Sequence, residues 1–409
     1  MTVMNDELNL FDLFDDAFKG IEASAGISEK NLELIEMSKR DHDSNLSAFA
    51  AKTFATRGRK IDEHDKNIRT PYERDVGRII FSQSFRRLKH KTQVFFNPTN
   101  DHICSRLEHV LYVYYISSTI GKALNLNTDL IQAIALGHDI GHSPFGHSGE
   151  RILNACLKEK EPDRFFEHEA HGIRVVDILE SRAGKPGLNL TFEVRDGIIS
   201  HCGEIYDEKV LRPDRDKSED EVSFLIPKAH RGAPATLEGC VVRFADKIAY
   251  VGRDIEDAMR TGIIQDISIF DKKATDVLGK NNSQVINTLV EDIIDNSISK
   301  DEIRMSDLAA DALQEFLNTN VKQIYMAPKV RVYEQTVEVM IKGLFDAFYN
   351  VGDNPDMASD SKKEAIRQFA SFVQTHPEPE CPLAVKVTDY IAGMTDQFAT
   401  DCFNELYKN

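Results

Sequence analysis

Four side chains from three segments could together hold one divalent metal ion: His109, the adjacent pair His138 and Asp139, and Asp246. The adjacent pair supplies a nitrogen ligand and an oxygen ligand from one helix end. Imidazole and carboxylate ligands suit Mn²⁺, Fe²⁺, Co²⁺, Ni²⁺ or Zn²⁺, and suit Mg²⁺ less well. Such a set leaves coordination positions for a phosphate oxygen and water, which is typical of catalysis and not of a structural site.

Histidine is concentrated around these residues. Eight of the thirteen histidines lie between His102 and His201. Solubility does not require this density, whereas a site that holds a metal ion and neutralises phosphate charge does.

Helical patterns place these ligands. Residues 103–126 predict a long helix with a buried stripe and with His109 near its start. The next helix is predicted to be capped by Thr128, to carry His138 and Asp139 in its last turn, and to stop at Gly141.

A third helix is predicted from Leu237 onward. Steps of four, four and three residues place four side chains on one of its faces, because such steps match the helical repeat. These side chains are Asp246, Tyr250, Asp254 and Asp257.

The chain has 409 residues, of which 41% are hydrophobic and 29% charged, as is ordinary for a folded protein with a sizeable core. Strand patterns are few, so an all-α fold is expected. The net charge of -17 argues against a general nucleic-acid binder. The basic run 86–91 lies close to the candidate site and could still bind a polynucleotide effector.

Six scattered cysteines without a CxxC pair indicate reduced thiols and no disulfide framework. The acidic N-terminus has no signal-peptide pattern, and no window is long and apolar enough to span a bilayer. We therefore expect a cytoplasmic protein without a membrane partner.

The sequence suggests three parts. Residues 1–60 form an N-terminal extension, and residues 61–265 form the metal-dependent core with a charged, exposed insertion at about 207–235. Residues 266–409 form a C-terminal helical region that completes the site or an oligomer interface.

Several motifs together resemble the HD-domain superfamily and, within it, the deoxynucleoside triphosphate triphosphohydrolases, often called dGTPases. In order and spacing they cover about residues 69–262, with a separate match near the C-terminus. The matching segments are FRRLKHKTQVF at 85–95, SRLEH at 105–109, HDIGHSPFGHSGE at 138–150, FEH at 166–168, GLNLT at 187–191, ADKIAY at 245–250 and DYIAGMTD at 389–396.

The resemblance implies the HD-domain helical fold, an additional C-terminal helical region, and a metal held by His109, His138, Asp139 and Asp246. It implies hydrolysis of a dNTP at the α phosphorus, which gives a deoxynucleoside and inorganic triphosphate. One divalent cation is expected, Mn²⁺ or Mg²⁺ in the first place, with Fe²⁺, Co²⁺, Ni²⁺ or Zn²⁺ as alternatives.

Further roles follow from the resemblance alone. Gln93 and Asp254 are similar to positions that hold the sugar 3′ hydroxyl, Tyr250 to one that packs on the deoxyribose, and Arg106 to a phosphate-contacting arginine. A tyrosine ring against the 2′ carbon would reject ribonucleotides sterically. His168 and Glu169 resemble a supporting or acid/base pair. Glu169, His171 and Ser143 depart from residues frequent in the family.

The loop residues fit this chemistry independently. His142 and His147 could contact phosphates and protonate a leaving oxygen. Glu150, three residues beyond His147, could orient that imidazole or the attacking water. The segment 389–396 is as compatible with packing as with a role at the site.

Two other interpretations remain open at this stage. The metal site could serve a deoxynucleoside monophosphatase or a phosphodiesterase for cyclic or signalling nucleotides. The chain could also be a nucleotide-sensing regulator that binds nucleic acid. The resemblance further implies a homo-oligomer and allows activation by a dNTP or by single-stranded nucleic acid, whereas base preference stays undetermined.

Overall fold

The computed structural model describes residues 27–63, 68–93, 104–202, 208–352 and 361–408. The predictions for residues 1–26 and for positions 94, 95 and 103 lie outside these ranges. The described residues are mainly helical, which confirms the all-α prediction. The helices are α1 (Glu29–Asn45), α2 (Pro71–Phe81), α3 (Gln83–Arg87), α4 (Arg106–Ala123), α5 (Thr128–Gly137), α6 (Gly146–Lys160), α7 (His168–Arg174), α8 (Phe192–Ser200), α9 (Leu237–Arg260), α10 (Lys272–Leu278), α11 (Asn282–Ser297), α12 (Asp307–Asn320), α13 (Pro328–Gly352), α14 (Glu364–Thr375), α15 (Leu383–Ala392) and α16 (Asp396–Tyr407).

Short elements connect these helices. The strands form two antiparallel pairs, β1 (Ser181–Arg182) with β2 (Lys185–Pro186) and β3 (Val210–Leu211) with β4 (Ile303–Arg304). Two single π turns continue helices, at Val175–Leu179 after α7 and at Val321–Tyr325 after α12. Short 3₁₀ turns lie at Thr53–Ala55, Leu88–His90, Glu219–Glu221, Lys228–His230 and Ile267–Ile269.

The centre of the fold is α5, which is buried on nearly all sides. Its sequence TDLIQAIALG is apolar around most of the helix, as expected for a helix inside a protein core. It contacts α2, α4, α8 and α9, and α4 also packs along α9. The three helices that carry the candidate ligands are therefore neighbours.

The boundaries of two helices differ from the prediction. α4 begins at Arg106, because Ser105 and Glu108 form a capping box there. The cap of α5 is Asn127, whose side chain accepts from Leu130 N, and not Thr128. The predicted stop at Gly141 is also wrong, since α5 ends at Gly137.

Gly141 has a different role from a helix stop. A Cβ atom at this position would lie 2.1 Å from the carbonyl oxygen of His168 and 2.2 Å from the nitrogen of Gly172. The loop after α5 can therefore approach α7 closely only because residue 141 has no side chain.

The apolar core has two parts. The larger cluster extends from Leu46 to Ile324 and surrounds α5. The smaller cluster joins α6 to α13–α16, with Phe345, Phe348 and Phe369 nearly inaccessible. The larger cluster thus continues past the domain boundary predicted at 265, and the division into three parts remains a prediction.

The prediction of an exposed insertion at 207–235 is wrong for several of its residues. Lys217 and Val222 are buried, and the side chain of Arg231 is only 2% exposed. Val210–Leu211 pairs with the strand Ile303–Arg304. Lys217 Nζ lies 2.7 Å from Asp196 Oδ1, inside the protein. Charged composition misled here because buried partners neutralise these charges.

The six cysteines are all free, as expected. Within the described ranges, no helix combines the length and the apolar character required to cross a membrane.

Candidate metal centre

The four predicted ligands converge. His109 lies in the first turn of α4, His138 caps the end of α5, Asp139 follows it, and Asp246 lies in the middle of α9. His109 Nε2 is 2.9 Å from Asp246 Oδ1. His138 Nε2 is 3.5 Å from Asp139 Oδ1 and 3.8 Å from Asp246 Oδ1.

The orientation of His138 fits a metal ligand. Its Nδ1 lies 2.7 Å from the carbonyl oxygen of Ala135, a position in which a proton on Nδ1 is donated to that oxygen. Its Nε2 is buried, has no hydrogen-bond partner among the described residues, and lies near the carboxylates of Asp139 and Asp246. An imidazole nitrogen beside two carboxylates is the donor set that a divalent cation requires, and the residues present therefore fit such an ion.

The carboxylates of this centre are held ionised. Burial alone would raise the pKa of Asp246, but the hydrogen bond and charge of His109 lower it to about 2. Burial also opposes ionisation of Asp139, yet His138 and Arg106 hold its pKa well below the ordinary value. The guanidinium of Arg106 is buried, with Nη1 2.9 Å from Asp139 Oδ2.

A second group of side chains lies beside the ligands. His142 Nε2 is 3.1 Å from Asp139 Oδ1, and its ring stacks on His168 with centroids 3.7 Å apart. Glu150 contacts two imidazoles, with Oε1 3.0 Å from His168 Nδ1 and Oε2 3.3 Å from His147 Nδ1. These contacts connect charged and proton-donating side chains to the candidate metal ligands.

The pKa values of the stacked rings His142 and His168 are shifted in opposite directions. Burial alone would lower the pKa of His168, but the carboxylates of Glu150 and Glu169 raise it to about 9. Burial and the charges of Arg106 and His168 hold the pKa of His142 well below its ordinary value. Near pH 7 the pair therefore consists of one cation and one neutral ring.

A small cavity of about 40 Å³ opens at the centre, enough for a few water-sized particles. Most of the predicted site residues line it. They are Gln93, Arg106, His109, Asp139, His142, His147, His168, Glu169, Asp246 and Tyr250.

Three predicted site residues do not line the cavity. His138 and Glu150 contact residues of its wall, whereas Asp254 accepts a hydrogen bond from the hydroxyl of Tyr325. The ring of Tyr325 lies 5.9 Å from that of Tyr250. Burial raises the pKa of Asp254 to about 7.

Sequence analysis did not select several residues of the site. Cys202, Lys247 and Leu317 line the cavity. His201, named above only as the end of the histidine-rich range, is buried with Nε2 3.3 Å from His168 Nε2. The density of histidines could have indicated His201, but no local pattern connects Tyr325 to Asp254 across 71 residues.

The C-terminal segment 389–396 supports the loop that follows the ligands. Asp396 accepts from the backbone nitrogens of Thr92 (3.0 Å) and Phe145 (2.9 Å). Lys91 Nζ donates to the carbonyl oxygens of His142 and Ala392. These contacts hold the backbone on which the histidines of the loop stand, and they give the segment a positioning role.

Comparison with known proteins agrees with this geometry. The HD domain family matches residues 106–251, and the phosphohydrolase-associated domain family matches residues 303–405. The first range contains all four ligands.

Curated relatives cover most of the chain. Proteins described as deoxyguanosinetriphosphate triphosphohydrolase-like are 39% identical in Caldanaerobacter subterraneus subsp. tengcongensis, over 88% of this chain and 92% of the relative, and 36% identical in Clostridium tetani, over 92% and 98%. A solved structure of a hypothetical protein from Aquifex aeolicus is similar at 16% identity and a TM-score of 0.36, over 82% of this chain and 71% of that one. Because of its identity to these relatives over most of their length, this chain belongs to the deoxyguanosinetriphosphate triphosphohydrolase-like family of HD-domain phosphohydrolases.

Proposed function

We propose that this phosphohydrolase uses one divalent cation, Mn²⁺ or Mg²⁺, to hydrolyse deoxynucleoside triphosphates to deoxynucleosides and inorganic triphosphate. One observation carries the proposal: the unpartnered His138 Nε2 faces Asp139 and Asp246 beside a cluster of histidines that can donate protons. The names of the relatives make deoxyguanosine triphosphate the first substrate to test.

The metal site would be formed by His109, His138, Asp139 and Asp246. A cation bound there would polarise an oxygen of the α phosphate and lower the pKa of a bound water. In the reaction the water oxygen forms a bond to the α phosphorus, the bond from that phosphorus to the sugar 5′ oxygen breaks, and the proton that the water loses balances the one that the 5′ oxygen takes up.

The surrounding side chains supply charge and protons. The cationic His168 and Arg106 offset the negative charge of the phosphates in a water-poor cavity. Glu150 accepts from Nδ1 of His147 and so orients the ring, whose Nε2 would give a proton to the departing 5′ oxygen. His147 suits this exchange because its side chain is 41% exposed.

The sugar would lie toward α9. Tyr250 lines the cavity and would pack against the deoxyribose, so a 2′ hydroxyl would be rejected sterically. Asp254 and Gln93 would hold the 3′ hydroxyl. Asp254 is oriented by Tyr325, which we add to the proposed sugar pocket.

The test is incubation of the purified protein with each dNTP singly and with all four together, with Mn²⁺ or Mg²⁺, and separation of the products by ion-exchange chromatography. We expect deoxynucleoside and intact triphosphate. His138→Ala should lower the rate at least about 100-fold, since the bound metal supplies several kcal/mol of stabilisation, and should also lower the metal content of the purified protein.

His42→Ala is the matched control, because this histidine of α1 is exposed and lies 67 residues before His109, the nearest proposed ligand in the sequence. Release of phosphate from monophosphates, or cleavage of cyclic nucleotides without any triphosphate product, would contradict the proposal and favour another nucleotide phosphohydrolase. Activity only with the four dNTPs together would indicate nucleotide activation, and light scattering would test the proposed homo-oligomer.

A further inference from the structure

A second and much larger cavity lies outside the metal centre. It measures about 550 Å³, within the range of about 300–1,000 Å³ that is usual for small-molecule sites. The residues that line it come from α3, α7 with its π turn, α14, α15 and the start of α16. It shares no lining residue with the metal cavity.

The wall of this cavity is mainly apolar and contains several rings. Phe372, Tyr390 and Phe398 contribute the aromatic surface, and Ile140, Val175 and Leu179 contribute aliphatic surface on the opposite elements. The centroids of Phe372 and Tyr390 are 5.2 Å apart. A flat, ring-sized body could bury apolar area against these side chains.

Three polar atoms of the lining residues are buried without a hydrogen-bond partner among the described residues: Nε of Arg87, the hydroxyl oxygen of Tyr390 and Nε2 of His171. His171 Nε2 lies 3.4 Å from Asp389 Oδ1, a carboxylate of the same wall. The groups of Arg87 and Tyr390 can donate a hydrogen bond, and buried donors are rarely left unpaired in folded proteins. A ligand that satisfies them must offer acceptor oxygens.

The hydrogen bonds of the cavity leave donors for an anionic acceptor. Its carboxylates already accept hydrogen bonds: Glu180 accepts from the nitrogen of Ser84 at 2.7 Å, and Asp389 accepts from Arg174 Nε at 2.8 and 2.9 Å. The guanidinium of Arg87 makes one hydrogen bond, from Nη2 to Ser84 Oγ, and lies 4.0 Å from Glu180. Arg87 therefore retains donors for a charge-assisted bond.

The cavity is connected to the metal loop through its own wall. Lys91 lines it and donates to the carbonyl oxygens of His142 and Ala392. His171 also lines it, with Nδ1 2.8 Å from the carbonyl oxygen of Gly141. An occupant would thus touch side chains that hold the backbone next to the candidate ligands.

We propose that this cavity binds a small organic anion with an aromatic ring, whose carboxylate or phosphate head contacts Arg87 and Tyr390 and whose ring packs among Phe372, Tyr390 and Phe398. Its occupancy adjusts the loop that follows the metal ligands. The site is independent of the proposed reaction, and its test does not require activity.

The probe is 8-anilinonaphthalene-1-sulfonate, an aromatic anion whose fluorescence rises in apolar surroundings, and the matched neutral probe is N-phenyl-1-naphthylamine. We expect one sulfonate bound per chain and weaker binding of the neutral probe. Arg87→Met should weaken sulfonate binding about tenfold, the loss expected for a charge-assisted hydrogen bond. Arg86→Met, at an exposed neighbouring arginine that does not line the cavity, should leave it unchanged.

Tyr390→Phe provides a second variant in case Arg87→Met does not fold. It keeps the ring and removes a hydroxyl that no protein group uses, so the melting temperature should not fall while sulfonate binding weakens a few-fold. Displacement of the sulfonate by phenyl phosphate or by benzoate then identifies the preferred head group.

Three results would overturn the proposal. Equal affinity of wild type and both variants for the sulfonate would remove Arg87 and Tyr390 from the site. Equal binding of the neutral probe would show a merely apolar cavity. Failure of both phenyl phosphate and benzoate to displace the sulfonate would exclude the two head groups.

Discussion

The two cavities on either side of the loop after α5 differ in how their polar groups are paired. In the metal cavity the charged side chains compensate one another, as Arg106 does with Asp139 and His168 with Glu150. In the second cavity, Nε of Arg87 and the hydroxyl of Tyr390 have no hydrogen-bond partner in the described part of the chain. The metal cavity accordingly suits a cation that binds between ligand atoms with lone pairs. The second cavity suits a ligand that offers hydrogen-bond acceptors.

The two cavities also differ in size, and the difference agrees with the kinds of ligand inferred from their polar groups. The metal cavity measures about 40 Å³ and the second about 550 Å³. A small charged space can order an ion and water, whereas a large apolar one can bury a ring. Asp389 and Lys91 test how far the two regions depend on each other, and Glu238 tests a buried carboxylate that lines neither cavity.

The largest effect is expected at Asp389, which lies in the wall of the second cavity. Asp389→Asn would leave the buried guanidinium of Arg174 with only the carboxylate of Glu378, and we expect the free energy of unfolding to fall by about 3 kcal/mol. Urea denaturation followed by circular dichroism measures it. Asp401→Asn, at an exposed residue of α16, should change it by less than about 0.5 kcal/mol. A loss of stability at Asp389 no larger than at Asp401 would show that the ion pair between Arg174 and Asp389 does not stabilise the folded protein.

The next effect concerns a buried carboxylate far from compensating cations. Burial raises the pKa of Glu238 to about 7, whereas that of Asp246, beside His109, is lowered to about 2. The folded state therefore binds an extra proton at Glu238 between about pH 4.5 and 7, and this group's contribution to stability is lost as the pH rises through that window.

Glu238→Gln removes the titration and keeps an oxygen that can accept from the backbone nitrogens of Ala51 and Asn127. The variant should gain up to about 3 kcal/mol relative to the wild type between pH 4.5 and pH 8. Urea denaturation at both pH values measures this gain, with Glu315→Gln on the exposed face of α12 as control. A constant difference between the variants at the two pH values would refute the assigned shift.

The smallest effect is expected at Lys91, which joins the two cavities. Lys91→Met removes the donor to the carbonyl oxygens of His142 and Ala392, so the loop should hold the ligands less precisely. We expect metal affinity to fall about 10–100-fold, the usual loss when a group that supports the ligands is removed. Isothermal titration with Mn²⁺ measures the affinity, and Lys89→Met, at an exposed residue of the same run, is the control. An unchanged affinity for Mn²⁺ would show that Lys91, in the wall of the second cavity, does not support the loop that carries the candidate ligands.

The fold class and the candidate metal ligands were accessible from the sequence for a simple reason. Helical periodicity and residue types are local properties. The structure groups His109, His138 and Asp139, and it places Asp246 beside the two histidines. Helix ends were less accessible: Asn127 and Ser105 compete as caps with neighbours of similar propensity, and the side-chain contacts decide.

Charge patterns gave the weakest predictions. The segment 207–235 has the composition of an exposed insertion, yet Lys217 is buried against Asp196 and Arg231 against Glu167. A sequence reports that a residue is charged but not whether a partner from another helix will neutralise it. The same limit hid the pairing of Arg174 with Asp389, 215 positions away.

The sequence by itself thus determined the chemistry that is available: the ligand types, the histidine-rich loop, the mainly helical fold and the family resemblance. Only the tertiary structure decided the contact of His138 Nδ1 with the carbonyl oxygen of Ala135, the opposite pKa shifts of His142 and His168, the contact of Tyr325 with Asp254, and the second cavity. The physical reason is that hydrogen-bond partners, burial and empty space arise between segments that are distant along the chain, and they exist only once those segments have packed.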